Sequence, residues 1–308
     1  MISSIQDVLD AARETSGRRV AVAWPHDSDT LSSCSEAYRS GIVTPLFVGR
    51  EREISKVADD AGVDIRGIEI VPAQDEVQAA GETVGLVRDG QADLLMKGLL
   101  DTKVILKAII KDQGGLRTDR VLSHAAVFEV PGYPRLLLLA DAAMIISPSL
   151  AEKKAILLNT VHVARALGIE RPRVALLCAK EKVDPKMPCT EDAATLARLD
   201  LPDCEIAGPL ALDNAVSPDA AALKGISNAV AGHADVLIVP NIESGNILYK
   251  ALAFLAGAKS AGIIVGAKAP IVLTSRADSD RTKLASIALA VLQATGSPSA
   301  VIAYGDPD

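Results

Sequence analysis

Val20–Ala61, VAVAWPHDSDTLSSCSEAYRSGIVTPLFVGREREISKVADDA, decides the fold. Val20 to Trp24 is a short apolar strand, and Pro25-His26-Asp27-Ser28-Asp29 is a polar loop behind it. Leu31, Cys34, Ala37 and Tyr38 then recur at helical spacing up to Gly41. Ile42 to Val48 reads as a second strand, and Arg50 to Ala61 as a second helix. Strands that are apolar throughout and alternate with helices predict an α/β fold, a mostly parallel sheet covered on both faces.

The same alternation runs outward in both directions. Toward the N-terminus, Ser4 with Asp7 three residues later makes a capping-box start, and Ile5, Val8, Leu9 and Ala12 share one helical face. Toward the C-terminus, apolar runs at 92–96, 125–130, 136–139 and 236–239 are each bordered by polar residues that a core does not need. Ligands of such sheets sit at the carboxyl ends of the strands, so these borders are the candidate site. They comprise Trp24-Pro25-His26-Asp27, Lys97-Gly98 with Asp101-Thr102-Lys103, Ser123-His124, Ala140-Asp141 and Glu243-Ser244-Gly245-Asn246. A helix is expected from Lys97-Gly98 onward to Lys111. Finally, the extended run Ala269–Thr274 ends in Ser275-Arg276-Ala277-Asp278-Ser279-Asp280, and apolar residues resume at helical spacing from Leu284. A polar turn that opens a helix offers free N–H groups and a positive dipole end for an anion or a carbonyl oxygen. An ordinary capped helix with a solvated arginine would give the same local pattern.

Composition narrows the classes. The net charge is −7 and aromatic residues are 3% of the 308, with Trp24 the single tryptophan. Both argue against a nucleic-acid partner, which requires a basic face or stacking platforms. The amphipathic acidic N-terminus does not read as a targeting segment, and no apolar run approaches the length of a bilayer span. Cys34, Cys178, Cys189 and Cys204 show no metal-ligand or disulfide spacing, so a reducing cytoplasm is expected. The glycines lack the GxGxxG spacing, and Ile263-Ile264 stands where a P-loop needs Lys-Ser/Thr after Gly257 and Gly262. No G-x-S-x-G elbow is present.

Individual candidates divide. His124 is either a general base or phosphate ligand, or one half of a capped polar pair with Ser123. His162 and His233 sit on apolar patterns and read as structural. Lys103, Lys107 and Lys111 fall on one helical face, the pattern of a solvated surface. Lys97 differs, because it ends a buried strand beside Gly98, where the lack of a side chain permits close backbone approach to a ligand.

Taken together, six separated segments resemble the phosphate acetyl/butyryltransferases, or phosphotransacylases, in collinear order over the whole chain, closer to the butyryl branch. They are Lys97-Gly98-Leu99-Leu100, Ser123–Glu129, Ala140-Asp141, Lys182–Pro188, Pro240–Lys250 and Ser275-Arg276. The resemblance implies a two-domain fold like that of isocitrate and isopropylmalate dehydrogenases. Its domain I would be 1–137 plus 268–308, and its domain II, 138–267, would serve dimerisation or higher homo-oligomerisation. Short-chain acyl-CoA would sit in the cleft between domains and react with inorganic phosphate to give acyl phosphate and CoA. No metal or other cofactor is implied.

Ser275 and Arg276 take over the family's active-site pair, and Lys97, His124 and Asp280 join them as catalytic candidates. Gly98, Thr102, Ser123, Asp141, Glu243, Gly245, Asn246, Asp278 and Thr282 are expected to bind substrate. The acetyl branch has an aspartate seven residues after the serine, where this chain has Thr282, so Asp278 or Asp280 would have to replace it. Two other readings stand beside this one. A decarboxylating dehydrogenase of the same fold would need acidic metal ligands, and Asp141, Asp213 and Glu243 are scattered. A non-catalytic CoA-binding regulatory protein draws on the Thr282 departure.

Overall fold

The computed structural model describes residues 2–15, 17–274 and 278–295. Ser275 and Arg276 therefore lie outside the described residues. In chain order the elements are α1 (Ile5–Glu14), β1 (Arg19–Ala23), α2 (Ser28–Arg39), β2 (Thr44–Gly49), α3 (Glu51–Ala61), β3 (Glu69–Pro72), α4 (Glu76–Arg88), β4 (Leu94–Lys97), α5 (Thr102–Ile109), β5 (Ser123–Glu129) and β6 (Leu136–Ala140). The second half continues with α6 (Leu150–Ala166), β7 (Arg173–Leu177), α7 (Pro188–Leu196), β8 (Glu205–Leu210), α8 (Leu212–Val216), α9 (Pro218–Leu223), β9 (Val236–Ile238), α10 (Ile242–Lys250), β10 (Lys259–Val265), β11 (Ile271–Val272) and α11 (Asp280–Thr295). The helix expected to run to Lys111 is shorter at both ends: Asp101 caps it, its side chain accepting from Lys103 N–H, and it stops at Ile109.

The eleven strands of the described residues form one sheet, in the order β3-β2-β1-β4-β11-β10-β5-β6-β9-β7-β8. It is parallel in both outer parts, and β10 and β5–β6 supply an antiparallel centre. The apolar residues of alternate strand positions serve different cores. Val20, Val22, Val127, Leu138, Val174 and Val236 face one continuous core that runs under the whole sheet with α11 inside it. On the opposite face the core is in two pieces. One is built on Ala21, Leu46, Leu95 and Ile271, the other on Phe128, Leu139, Ala175 and Leu237.

The two parallel parts are pinned in the same way. Asp93, just before β4, accepts from the backbone N–H of Arg19 at 2.8 Å, and its carboxylate also holds Arg18. Asp235, just before β9, accepts from the N–H of Arg173 at 2.9 Å and holds that guanidinium through Nε and Nη2. Each aspartate thus sets strand register by bonding to the first residue of the neighbouring parallel strand. The Asp235 side chain is only 5% exposed and Asp93 is 27% exposed. Asp235→Ala is therefore expected to cost about 2–4 kcal/mol in urea unfolding and Asp93→Ala about 1–2 kcal/mol. A larger loss at Asp93 would contradict this account of register.

Candidate active site

The carboxyl ends of β1, β4 and β11 point one way, and those of β6 and β9 point the other way, because three antiparallel pairings lie between the two groups; β5 begins with Ser123-His124 at the end where β6 and β9 finish. Strand direction therefore sorts the residues singled out from the sequence into two groups, Lys97 and Gly98 at one end and Ser123, His124 and Asp141 at the other.

At the end of β1 the backbone of Trp24 is left-handed, with φ of 54°. That costs a bulky residue about 1–2 kcal/mol. The indole is held between the His26 ring, with centroids 3.9 Å apart, and the Arg50 guanidinium at 5.5 Å. The turn aims two carbonyls at the next strand end: Gly98 N–H donates to Ala23 O and Leu99 N–H to Trp24 O, both at 2.8 Å. A Cβ on Gly98 would lie 2.4 Å from Trp24 O, so the space that glycine leaves is filled by the protein's own backbone. With this turn fixed, the buried Lys97 side chain curls over it, and Nζ donates to Gly98 O at 2.9 Å and Leu100 O at 3.1 Å.

Lys97, Gly98 and Leu99 line a cavity of about 120 Å³ with Asp27, Asp29, Thr30, Thr274 and Lys283. Lys283 did not emerge from the sequence, where a lysine at a helix start reads as solvated. It is only 4% exposed, and its Nζ donates to Asp278 O at 2.9 Å and lies 3.5 Å from Asp29 Oδ2. The signal available was the apolar run that follows it, Leu284–Val291, interrupted only by Ser286, which belongs to a helix buried on every side.

A second cluster lies at the β5–β6 end. His124 is buried, and its Nδ1 has no hydrogen-bond partner among the described residues. Burial drives its pKa below the ordinary imidazole range, against the upward pull of the Asp141 and Asp278 carboxylates. Asp141 accepts from the N–H groups of Ala143 and Met144 through Oδ1, and its buried Oδ2 is also without a partner among the described residues. Tyr249 approaches with its ring centroid 6.0 Å from that of His124; burial raises its pKa, and Asp278 adds to the effect. Asp278 therefore faces the histidine cluster with its charge while its carbonyl holds Lys283.

The remaining candidates take more local roles. Gly245 presses α10 onto the β6 end, since a Cβ there would lie 2.4 Å from Asp141 O, and Asn246 Nδ2 donates to Ala142 O at 3.2 Å. Glu243 is exposed in the first turn of α10. Ser123 is an interior anchor whose Oγ accepts from Asn159 Nδ2 at 2.9 Å. Thr102 opens α5. Ser279 Oγ accepts from Thr282 N–H at 3.2 Å, which caps α11, and Asp280 is exposed beside it.

Burial pushes the Cys34 and Cys178 thiols up to about 12 and Cys204 up to about 11, so these three are not thiolates near neutral pH. Cys178 lies one residue beyond β7 and is half-buried. Among the described residues no group of three or more His, Cys, Asp and Glu could hold a metal ion, and no helix is long and apolar enough to cross a membrane.

Residues 76–291 match the family described as phosphate acetyl/butaryl transferase, and the chain belongs to that family. It is 44% identical over 298 residues to a phosphate butyryltransferase of Clostridium acetobutylicum, covering 96% of this chain and 99% of that one. It is 42% identical over 305 residues to a phosphate acetyltransferase of Rhizobium meliloti, covering 98% and 96%. The crystal structure of a branched-chain phosphotransacylase from Enterococcus faecalis superposes with a TM-score of 0.82 at 34% identity, covering 91% of this chain and all of that one.

The depressed pKa of His124 has a consequence for stability. A histidine held neutral in the fold stabilises it above the ordinary imidazole pKa, and that contribution is lost as pH falls through the lower folded value. His26 and His162 are depressed by burial in the same sense. His124→Gln should therefore lose less unfolding free energy than wild type between about pH 7.5 and pH 5. Parallel slopes for the two proteins would contradict a buried neutral His124.

Proposed function

We propose that this protein is a phosphate acyltransferase that converts a short-chain acyl-CoA, acetyl to butyryl, and inorganic phosphate into acyl phosphate and CoA. The observation that carries the reading is its similarity, over nearly its whole length, to enzymes named for this transfer. The reading is supported by Asp278, which links the cavity of Lys97 and Lys283 to the His124–Asp141 pair through its carbonyl and its charge.

In this reaction an oxygen of hydrogen phosphate attacks the thioester carbonyl carbon. The C–O bond forms, the C–S bond breaks, and the electron pair leaves on sulfur. The proton lost by phosphate ends on the CoA thiol. Attack requires a desolvated phosphate held still, the task of Lys97 and Arg276 through charge-assisted hydrogen bonds. The Ser275 hydroxyl and N–H groups at the start of α11 stabilise the negative charge on the thioester oxygen, and losing one such donor typically costs about 10²–10³ in rate. Neutral His124 accepts the phosphate proton, with Asp141 and Asp278 favouring the charged form it takes on. A thiol with a reference pKa of about 8.5 leaves with little acid help, so Thr282 in place of an aspartate is compatible with turnover. Holding the two substrates side by side supplies much of the acceleration.

The groove that receives CoA is assigned between residues 1–137 plus 268–308 and residues 138–267, on the face where the core is split in two. Neither metal nor other cofactor takes part. The protein acts in the cytoplasm as a homodimer or higher homo-oligomer.

The test is release of free thiol from acetyl-, propionyl- and butyryl-CoA with and without phosphate. Release is expected only with phosphate, abolished in Arg276→Ala and reduced in Ser275→Ala more through kcat than through KM for acyl-CoA. Release without phosphate would mean a thioesterase and would overturn the reading, and both variants near wild type would overturn the site.

A further inference from the structure

Lys283 occupies a costly position. It lies in the first turn of α11, where the helix dipole disfavours a cation, and it is buried, where desolvation disfavours one again. It also shares a cavity with a second buried ammonium, Lys97. Its charged neighbour across the cavity is Asp29, whose side chain is 54% exposed and stands at the long distance of 3.5 Å. The start of α2 lines the same cavity through Asp27, Asp29 and Thr30, so two helix N-termini and two lysines converge on one small space. A volume of about 120 Å³ suits a single tetrahedral oxyanion and is far below the roughly 300 Å³ or more of a pocket for a larger ligand.

We propose that Lys283 and Lys97 together hold the phosphate group that reacts, and that its source is inorganic phosphate rather than a phosphate of CoA. The proposal rests on the phosphate acyltransferase reading and adds to it a binding residue and a competitor. Asp29 is the resident counterion of Lys283, and incoming phosphate takes its place. Thr274 lines this cavity, and Asp278 holds Lys283 through its carbonyl while its charge acts on His124. An anion seated here is therefore connected through Lys283 and Asp278 to the group that takes its proton, and Ser275 and Arg276 fall between Thr274 and Asp278 in sequence.

The test uses Lys283→Met, which keeps the length of the side chain and removes the charge, with Lys283→Arg and Asp29→Asn beside it. Lys283→Met should raise KM for inorganic phosphate at least about tenfold and leave KM for butyryl-CoA within about twofold, a split that loss of packing would not produce. Lys283→Arg should recover part of the phosphate affinity, and Asp29→Asn should lower KM for phosphate. As a readout apart from turnover, phosphate should raise the melting temperature of wild type and not of Lys283→Met. An unchanged phosphate KM in an active Lys283→Met would overturn the proposal and leave the acyltransferase reading intact. A rise in KM for butyryl-CoA alone would overturn it in favour of a CoA phosphate. Should Lys283→Met fail to fold, an unchanged phosphate KM in Asp29→Asn overturns it. Absence of phosphate-dependent thiol release in wild type would instead remove the function, while the melting shift still decides whether the cavity binds phosphate.

Discussion

The end of β1 is tied to the end of β4 by two short backbone hydrogen bonds, Gly98 N–H to Ala23 O and Leu99 N–H to Trp24 O, and the placement of Lys97 depends on both. These bonds need Trp24 in a left-handed conformation and a glycine at 98, two choices that cost stability when taken alone. The stacked His26 ring and the Arg50 guanidinium fix the indole that bears the strain. In return, a lysine that would otherwise extend into solvent is folded back over a turn of carbonyl oxygens and kept inside a cavity.

Charge follows the same logic at a larger scale. With a net charge of −7, the protein as a whole does not attract anionic substrates. Attraction has to be local, and buried cations beside helix N-termini are less screened by salt than surface ones. The second cluster complements the first. His124 is kept neutral by burial while two carboxylates favour its protonated form, so it can take a proton without either state being prohibitive. The continuous core beneath, with α11 running through it, gives both clusters a rigid base.

Much of this was legible in the sequence because apolar runs and their polar borders survive without an alignment. Val20–Trp24, Ile42–Val48 and the Ser4–Asp7 capping box all formed close to the expected bounds. Lys97, His124, Asp141 and Asp278 were readable as strand-end or turn residues, but strand direction places Lys97 at one end of the sheet and His124 with Asp141 at the other, and Asp278 links the two groups. The antiparallel centre was not legible, since the apolar run of β10 specifies a strand and not its direction. Gly98 and Gly245 illustrate a second limit. A glycine signals close approach, and only coordinates reveal that the approaching atoms are Trp24 O and Asp141 O. Lys283 illustrates a third, because burial of a lysine depends on what packs around its helix, and the apolar stretch that follows marks the helix as buried without singling out the lysine.

The central claim is that phosphate and thioester meet at the strand ends around Lys97. A crystal structure of the protein with inorganic phosphate and CoA bound tests it most directly. The account predicts a tetrahedral anion within hydrogen-bonding distance of the Lys97 and Lys283 ammonium groups, with the CoA sulfur beside that anion on the side toward His124. An anion and a thiol bound together at another face of the sheet would contradict it.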